Sequence, residues 1–443
     1  MIDWTALGSQ LARLAATSPP ARLLSVTVPL SRWPDVALPE QGDWCFWQRP
    51  DRGLRMLGIG KAFAATSAGA GRFAALHAAQ RGLFESWQRT HDAPPPLAFT
   101  GFAFSPQGGA PLPNASLWVP ELMLREQSGK VWLTLSCAAT QTDEAADRWR
   151  AQWNALTPDR GTVPPAPTFI PNLLADQAFM SRGRAALHAI ASGHIDKLVL
   201  TRALRIRADA AIPPAAVLRA LATQHPTCAT FGIGQAGQAF LGASPETLLS
   251  LSGAQVDVDA LAGTAWREAS LELGADKNRR EHDFVAHAVA EALTELCIEV
   301  VVPNVPEIMQ LNALTHLRRR VSARRPADVS AFDLIARLHP TPAVGGAPTA
   351  AAIDWLERHN DARGTWYTGG IGWIDANGDC DIAVALRCGL LAGKEATLYA
   401  GAGFVAGSDP VQEFAETEAK LAAMRAALVA ASSAQNATEH QAA

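Results

Sequence analysis

The sequence predicts an α+β fold with mixed α/β order along the chain: one large domain of mostly antiparallel sheets, packed in layers and flanked by helices. Three observations predict it. Helix-like and strand-like segments are interleaved from end to end, yet the strands come largely as hairpins, which favours antiparallel ladders over a doubly wound sheet. Apolar residues fill 48% of the 443 positions, ample for a large core. No internal repeat divides the chain.

Taken in order, short apolar runs bounded by turn residues predict strands over Arg22–Leu30, Trp44–Gln48, Leu54–Lys61, Leu117–Arg125 and Lys130–Ser136, with one helix over Gly71–Gln88. Pro/Gly clusters alternate with short aromatic strands over 91–116. The stretch 157–172 holds five prolines and no helical period, and makes the best internal boundary. Beyond it a helix over Asp176–Gly193 leads into a strand rich in Leu, Ile and Val from Lys197 to Asp209. A helix over Pro214–Gln224 and hairpin strands Thr227–Ile233 and Gln238–Ser244 follow. In the helix predicted over Arg279–Cys297, Val285, Val289, Leu293 and Leu296 share one stripe. A second Pro/Gly-rich loop spans 338–349, sheet elements fill 366–391 and 395–403, and the last helix is Pro410–Ala430. These elements give an N-terminal part, 1–160, a second part, 173–430, and a polar tail, 431–443, that frays; the first two form one compact domain.

The net charge of −4 implies neither a nucleic-acid partner nor a broad electrostatic field. Six scattered cysteines with no CxxC pair exclude structural zinc and a disulfide framework and fit reduced cytoplasmic thiols. The N-terminus has an early acid and no long apolar run, and no stretch of about 18 apolar residues exists to span a membrane. A cytoplasmic protein with no membrane partner is the expectation.

"LYAGAGFVAGSDP", 398–410, fits the loose G-x-G-x-x-G/A pattern of a dinucleotide loop. That fold needs a second strand carrying an acid, and here only a helix and the tail follow. The glycines are then either a tight strand-to-helix turn or an anion site of exposed N–H groups at a helix start. On the helix, Glu413, Glu416 and Lys420 lie within about 60° of one another, beside a buried seam of Phe414, Leu421, Met424 and Leu428. They are either a solvated Glu–Lys pair or part of a site. Glu281 and His282 fall in the first turn of their helix, where an acid complements the dipole or ligates a metal. Carboxylates from separate helices suit Mg²⁺. "DANGD", 375–379, lacks the Gly and Glu of a calcium loop and reads as a hairpin turn. Lys197 opens an apolar strand, as an edge charge or a buried base. Glu246, after Ser-Pro at a strand end, is a helix-entry acid or a general acid. Arg387 interrupts an apolar strand, exposed or binding a carboxylate.

Together these residues resemble one family, the chorismate-utilising enzymes of menaquinone, siderophore, tryptophan and salicylate synthesis. The matching stretches are "DKLVLTRAL", "FLGASPETLL", "ALAGTAWR", "KNRREHDFV", "LHPTPAVGGAP", "YTGGIGW", "IAVALRC" and "AGAGFVAGSDPVQEFAETEAKL", in the family's order over about residues 175–428. The resemblance implies a fold like that of anthranilate synthase component I, with 173–430 as the chorismate-binding catalytic region and 1–160 as a variable N-terminal subdomain. It implies that Lys197 activates water to attack C2 of chorismate and that Glu246 protonates the departing C4 hydroxyl. It further implies Glu281 and Glu416 as Mg²⁺ ligands, with Glu413 close to the ion or bridged by water. Tyr367, Arg387, Gly401, Gly403 and Lys420 look like the carboxylate-binding set, and Gly263, Thr264, His316, Ala343 and Val344 like further substrate-binding wall.

Aminodeoxychorismate synthases carry a nucleophilic Lys where Ala262 stands, anthranilate synthases usually have Gln in place of Lys197, and salicylate synthases often carry Thr where Ala343 stands. The "ALAGT" and "LHPTPAVGG" pair is similar to isochorismate synthases, so a Mg²⁺-dependent hydroxymutase acting on chorismate, as a monomer, is the expectation. The alternative is a salicylate synthase, which adds pyruvate elimination. Two departures stand out. Asn278 replaces an acid found in many relatives, which would weaken Mg²⁺ binding if that acid tunes the metal shell, and Trp266 replaces Arg or Pro.

Overall fold

The computed structural model describes residues 2–433, apart from 18–21, 40–41, 91–93, 157–167, 170–171, 269–272, 274–275, 312–313 and 362. The first part of the chain forms α1 (Trp4–Thr17), β1 (Leu23–Leu30), β2 (Trp44–Arg49), β3 (Leu54–Ile59), β4 (Phe63–Ser67), α2 (Arg72–Glu85), β5 (Trp87–Arg89), β6 (Leu97–Phe102), β7 (Ala115–Val119), β8 (Leu122–Gln127), β9 (Lys130–Ala138) and α3 (Ala145–Ala155). There follow β10 (Thr168–Phe169), α4 (Leu173–Ala191), β11 (Lys197–Arg207), α5 (Pro214–Gln224), β12 (Ala229–Gln235), β13 (Gln238–Ser244), β14 (Thr247–Ser252), β15 (Gln255–Trp266) and α6 (Asp276–Thr294). The chain ends with β16 (Ile298–Val301), β17 (Glu307–Leu311), β18 (Leu314–Arg324), α7 (Ala331–Leu338), β19 (Gly346–Ala347), α8 (Thr349–Arg358), β20 (Gly370–Asp375), β21 (Cys380–Val384), β22 (Cys388–Ala392), β23 (Glu395–Val405) and α9 (Pro410–Ser433).

The strands form two large sheets. Sheet one runs β10-β11-β23-β22-β13-β12-β2-β3-β8-β9-β1-β5, with β19 also on β11; sheet two runs β16-β18-β15-β14-β21-β20-β6-β7-β4, with β17 also on β18. Among the described pairings only β1 with β5 is parallel, so the predicted α+β class holds. Side chains alternate between faces with the strand period of two. Phe240 of β13 points between the sheets with Trp47, Phe99, Trp118, Phe231 and Trp366. Its neighbours Ala239 and Leu241 point the other way, under α1, α3, α5 and α9. Sheet two turns its other face to α2, α6 and α7. The result is a helix–sheet–sheet–helix stack. Both sheets mix the two parts of the chain: β2 pairs with β12 in one, and β6 with β20 in the other.

Local chemistry explains the element ends. Ser330 and Asp333 form a capping box at α7, and Asn172 caps α4 through the Ala175 N–H. Asp375 Oδ1 accepts from the Asn377 and Asp379 N–H groups, which makes 375–379 the hairpin turn between β20 and β21. Several sequence expectations are corrected. Leu117–Arg125 is two strands in different sheets, because Pro120 cannot donate to a ladder and ends β7. The helix expected to Gln88 stops at Glu85, and Trp87–Arg89 pairs with β1 instead. The helix expected from Arg279 starts at Asp276 and ends at Thr294, so Glu281 lies in its second turn, not its first. Apart from Thr168, Phe169 and Asn172, the expected boundary, 157–172, falls outside the described residues, as does most of the tail; Thr168–Phe169 pairs with β11, and α9 continues to Ser433. The six cysteines are buried thiols, and no described helix is long and apolar enough to cross a membrane.

Candidate active site

Two of the places where the chain passes between the sheets lie side by side. β13 ends in sheet one at Ser244, Pro245 and Glu246 span the gap, and β14 starts in sheet two at Thr247. In the opposite direction β21 leaves sheet two at Val384, and β22 enters sheet one at Cys388. The crossings hydrogen-bond to each other: the Val384 N–H donates to the Glu246 carbonyl at 3.1 Å, and the Ala243 N–H to the Arg387 carbonyl at 3.2 Å. Corner backbone that has left both ladders is satisfied in this way. Arg387 therefore sits in a connection with φ +47°, not inside a strand as the sequence suggested. Glu246 and Arg387 line a cavity at the margin of the inter-sheet core.

A second wall of the cavity is the β11–β23 ladder. Val199 donates its N–H to Gly345 and Thr201 donates to Asp361, so both turn away from β23. Their cross-strand partners Gly403 and Gly401 then turn their own backbone groups away from β11. β22 covers that edge of β23 only as far as Leu398, so the edge beyond opens on the cavity. There Lys420 Nζ donates to the Gly401 carbonyl at 2.8 Å. This corrects the expected location of the glycines: they lie within β23, and the turn into α9 comes later. They are glycine for close approach. A Cβ on Gly403 would stand 2.6 Å from Glu281 Oε1 and 3.1 Å from Lys197 Cε, and one on Gly401 would stand 3.2 Å from the Tyr367 hydroxyl.

Lys197 opens β11 and is buried, 1% exposed, with Nζ 2.9 Å from Glu281 Oε1 on α6. It is no edge charge. Glu246 is also buried, and its Oε1 has no hydrogen-bond partner. Burial, reinforced by the Asp259 carboxylate, pushes its carboxyl up to about 8, against the pull of Lys197, Arg387 and Lys420. His316 is held well below the usual imidazole range by burial, with Arg387 and Lys420 adding to the effect. Arg387 can only donate, so His316 Nε2 accepts its N–H at 3.3 Å and Nδ1 donates to Thr264 Oγ1 at 3.1 Å. This chain of bonds fixes the guanidinium in place.

Lys197, Glu246, Thr264, Glu281, His316, Ala343, Val344, Tyr367, Arg387, Gly401, Gly403 and Lys420 all line this one cavity. Three expected residues do not. Gly263 forms a bulge in β15 at φ +75°, and a Cβ there would stand 2.8 Å from the Asn278 carbonyl, so it seats α6 against β15. Glu413 is buried in the first turn of α9. Glu416 reaches the site through Lys420, 2.5 Å from its Nζ. Two polar lining residues escaped the sequence reading. Tyr399 stacks on Tyr367 with centroids 5.3 Å apart, and the period of two from Tyr399 through Gly401 to Gly403 could have revealed it. Thr368 lines the cavity at φ +59°, a conformation with no sequence signal in a β-branched residue. Trp266 is largely exposed at the end of β15, and nothing in the structure explains the departure there.

The donor set fits a hard divalent cation. Glu281, Glu413 and Glu416 offer carboxylate oxygens from two helices, and among the described residues no three acidic, His or Cys side chains form a ready-made cage. Mg²⁺ needs none, since it takes one or two carboxylates together with water and an anionic substrate.

Gly403→Ala is expected to lower kcat/KM by about tenfold or more, since a methyl group wedged into a packed site costs about 1–3 kcal/mol. Steady-state kinetics beside a thermal melt checks this; unchanged kinetics would mean that Glu281 and Lys197 yield without consequence.

A family model described as "chorismate binding enzyme" matches residues 10–429. Isochorismate synthase MenF of Bacillus subtilis is 31% identical over 436 residues, covering 90% of this chain and 91% of that protein. Isochorismate synthase EntC of Escherichia coli is 31% identical over 324 residues, covering 71% of this chain and 78% of that protein. Among solved structures, MenF, the menaquinone-specific isochorismate synthase from Escherichia coli, superposes with a TM-score of 0.79 at 25% identity, covering 96% of this chain and 99% of that one. Anthranilate synthase component I from Streptococcus pneumoniae shares the fold, with a TM-score of 0.66 at 20% identity, covering 92% of this chain and 93% of that one.

Proposed function

Because the chain belongs to the chorismate-binding enzyme family, we infer that it is an isochorismate synthase, an isomerase that replaces the C4 hydroxyl of chorismate with one at C2. The observation that carries the mechanism is the meeting of a buried lysine and a buried, proton-retaining glutamate in one cavity lined by carboxylate-binding groups. Lys197 takes a proton from the water that attacks C2. Glu246 gives its proton to the hydroxyl leaving C4. The ring double bonds shift between the two carbons, so one water enters, one leaves, and no redox partner is needed. Arg387, Tyr367, Lys420 and the N–H groups of Gly401 and Gly403 hold the substrate carboxylates. Thr264, His316, Ala343 and Val344 shape the wall around the ring.

Mg²⁺ is the proposed cofactor, held by Glu281 and Glu416 with Glu413 close by; when bound it neutralises the ring carboxylate. The reading carries with it a cytoplasmic monomer. Chromatography of products from purified protein, chorismate and Mg²⁺ tests the activity. Isochorismate with little salicylate is expected, and salicylate as the main early product would replace this reading with a salicylate synthase. Glu416→Gln should raise the Mg²⁺ concentration needed for half-maximal rate at least tenfold, roughly the loss of one strong ligand contact. An unchanged Mg²⁺ titration would place the ligand elsewhere.

A further inference from the structure

We propose that Asp259 is a positioning residue for the acid: it ties the backbone directly after Glu246 to β15 and sets a carboxylate beside the Glu246 side chain, while Arg320 limits the charge that Asp259 presents. The inference rests on the reading of Glu246 as proton donor. Asp259 does not line the cavity and touches no substrate position.

The geometry starts with a ladder that opens. β14 and β15 pair only from Ser250 with Asp257 outward to the turn. Toward the sheet crossing the two strands part, and the Thr247 N–H finds no carbonyl on β15. Asp259, on β15 and 2% exposed, spans the gap, and its Oδ2 accepts that N–H at 3.2 Å. Its Oδ1 accepts from Arg320 Nε at 3.2 Å, across the β15–β18 ladder from its register partner. The side chain thus fixes where β14 begins, and with it the corner that carries Glu246.

The electrostatics point the same way. The charged groups acting on the Glu246 carboxyl are Lys197 from β11, Arg387 from the β21–β22 crossing and Lys420 from α9, all cations, and Asp259 from β15. Basic groups gathered around an acid favour the loss of its proton. Burial opposes them, and Asp259 is the carboxylate that adds to its effect. Arg320, on the far side of Asp259 and 42% exposed, screens part of that charge.

Asp259→Asn keeps an acceptor for the Thr247 N–H but removes the charge; Arg320→Gln leaves the charge and removes its screen. The test is a pH-difference infrared titration of the full-length, substrate-free protein, reading the carboxyl C=O band that vanishes in Glu246→Gln. The midpoint of that band should fall by about one pH unit in Asp259→Asn and rise in Arg320→Gln, as expected for a neighbouring like charge removed or strengthened. The alkaline limb of kcat should follow in the same directions, with KM for chorismate nearly constant. Midpoints that stay at the native value, or that move in the same direction, overturn the proposal, as does the absence of any Glu246-dependent band. If Asp259→Asn does not fold, the rise in Arg320→Gln decides alone. If the midpoints move as expected but Glu246→Gln keeps full activity, the role of Glu246 as donor fails while the positioning of its proton by Asp259 stands.

Discussion

Replacing Lys197 with alanine is expected to lower kcat by about 10²–10⁴-fold, the usual worth of a positioned general base, while chorismate still binds. The backbone of this residue is pinned on both sides, by Val405 on β23 and Ala347 on β19, so the side chain is removed without loosening the strand. The groups proposed to bind the carboxylates sit on other elements and survive the change. Steady-state turnover beside equilibrium binding, read from quenching of tryptophan fluorescence, separates the two effects. Retained turnover would remove Lys197 as base. Lys197→Arg should not restore activity, because a guanidinium does not give up its proton in a protein.

Glu246→Gln is expected to cost a similar factor, about 10²–10⁴-fold in kcat, and to abolish a pH limb. With its carboxyl pushed up to about 8, Glu246 is protonated through neutral pH, the state the proposed donor role requires. Activity should therefore hold at neutral pH and fall as pH rises through about 8. The same shift links to stability with a definite sign. The folded state keeps a proton that the unfolded chain releases near 4.5, so stability should decline as pH rises from there towards 8. Glu246→Gln removes that part of the slope. Denaturant melts at several pH values check it; a glutamine variant with an unchanged slope would show that the native carboxyl does not retain its proton.

Much of the site was legible because its chemistry is carried by unusual residues in apolar settings. A lysine at the head of a hydrophobic strand, a glutamate after Ser-Pro and two carboxylates on one helix face each contradict their surroundings. What escaped was geometry with no local signature. The glycines of 401–403 announce a close approach, but the sequence does not say whether a helix end or a strand edge makes it, and the edge proved correct. Gly263 reads as wall when only its motif is known; the bulge and the neighbouring Asn278 carbonyl show that it seats α6. Strands β14, β15 and β18 went uncalled because strands buried between layers have no clean alternation. The β13–β14 and β21–β22 crossings, which place Glu246 and Arg387 side by side, join residues about 140 apart and leave no trace in either segment alone.

The weaving of both parts of the chain through both sheets bears on how such a protein can diverge. Neither part is a transferable module. Removing the first would bare the long edges of β12 and β20 at once, and unpaired strand edges are both costly and adhesive. The N-terminal part is thus free to drift on its outer surface, while β2 and β6 remain bound to a fixed register. Shuffling of whole domains has no seam to use here, and new activities must arise by substitution inside an architecture inherited entire.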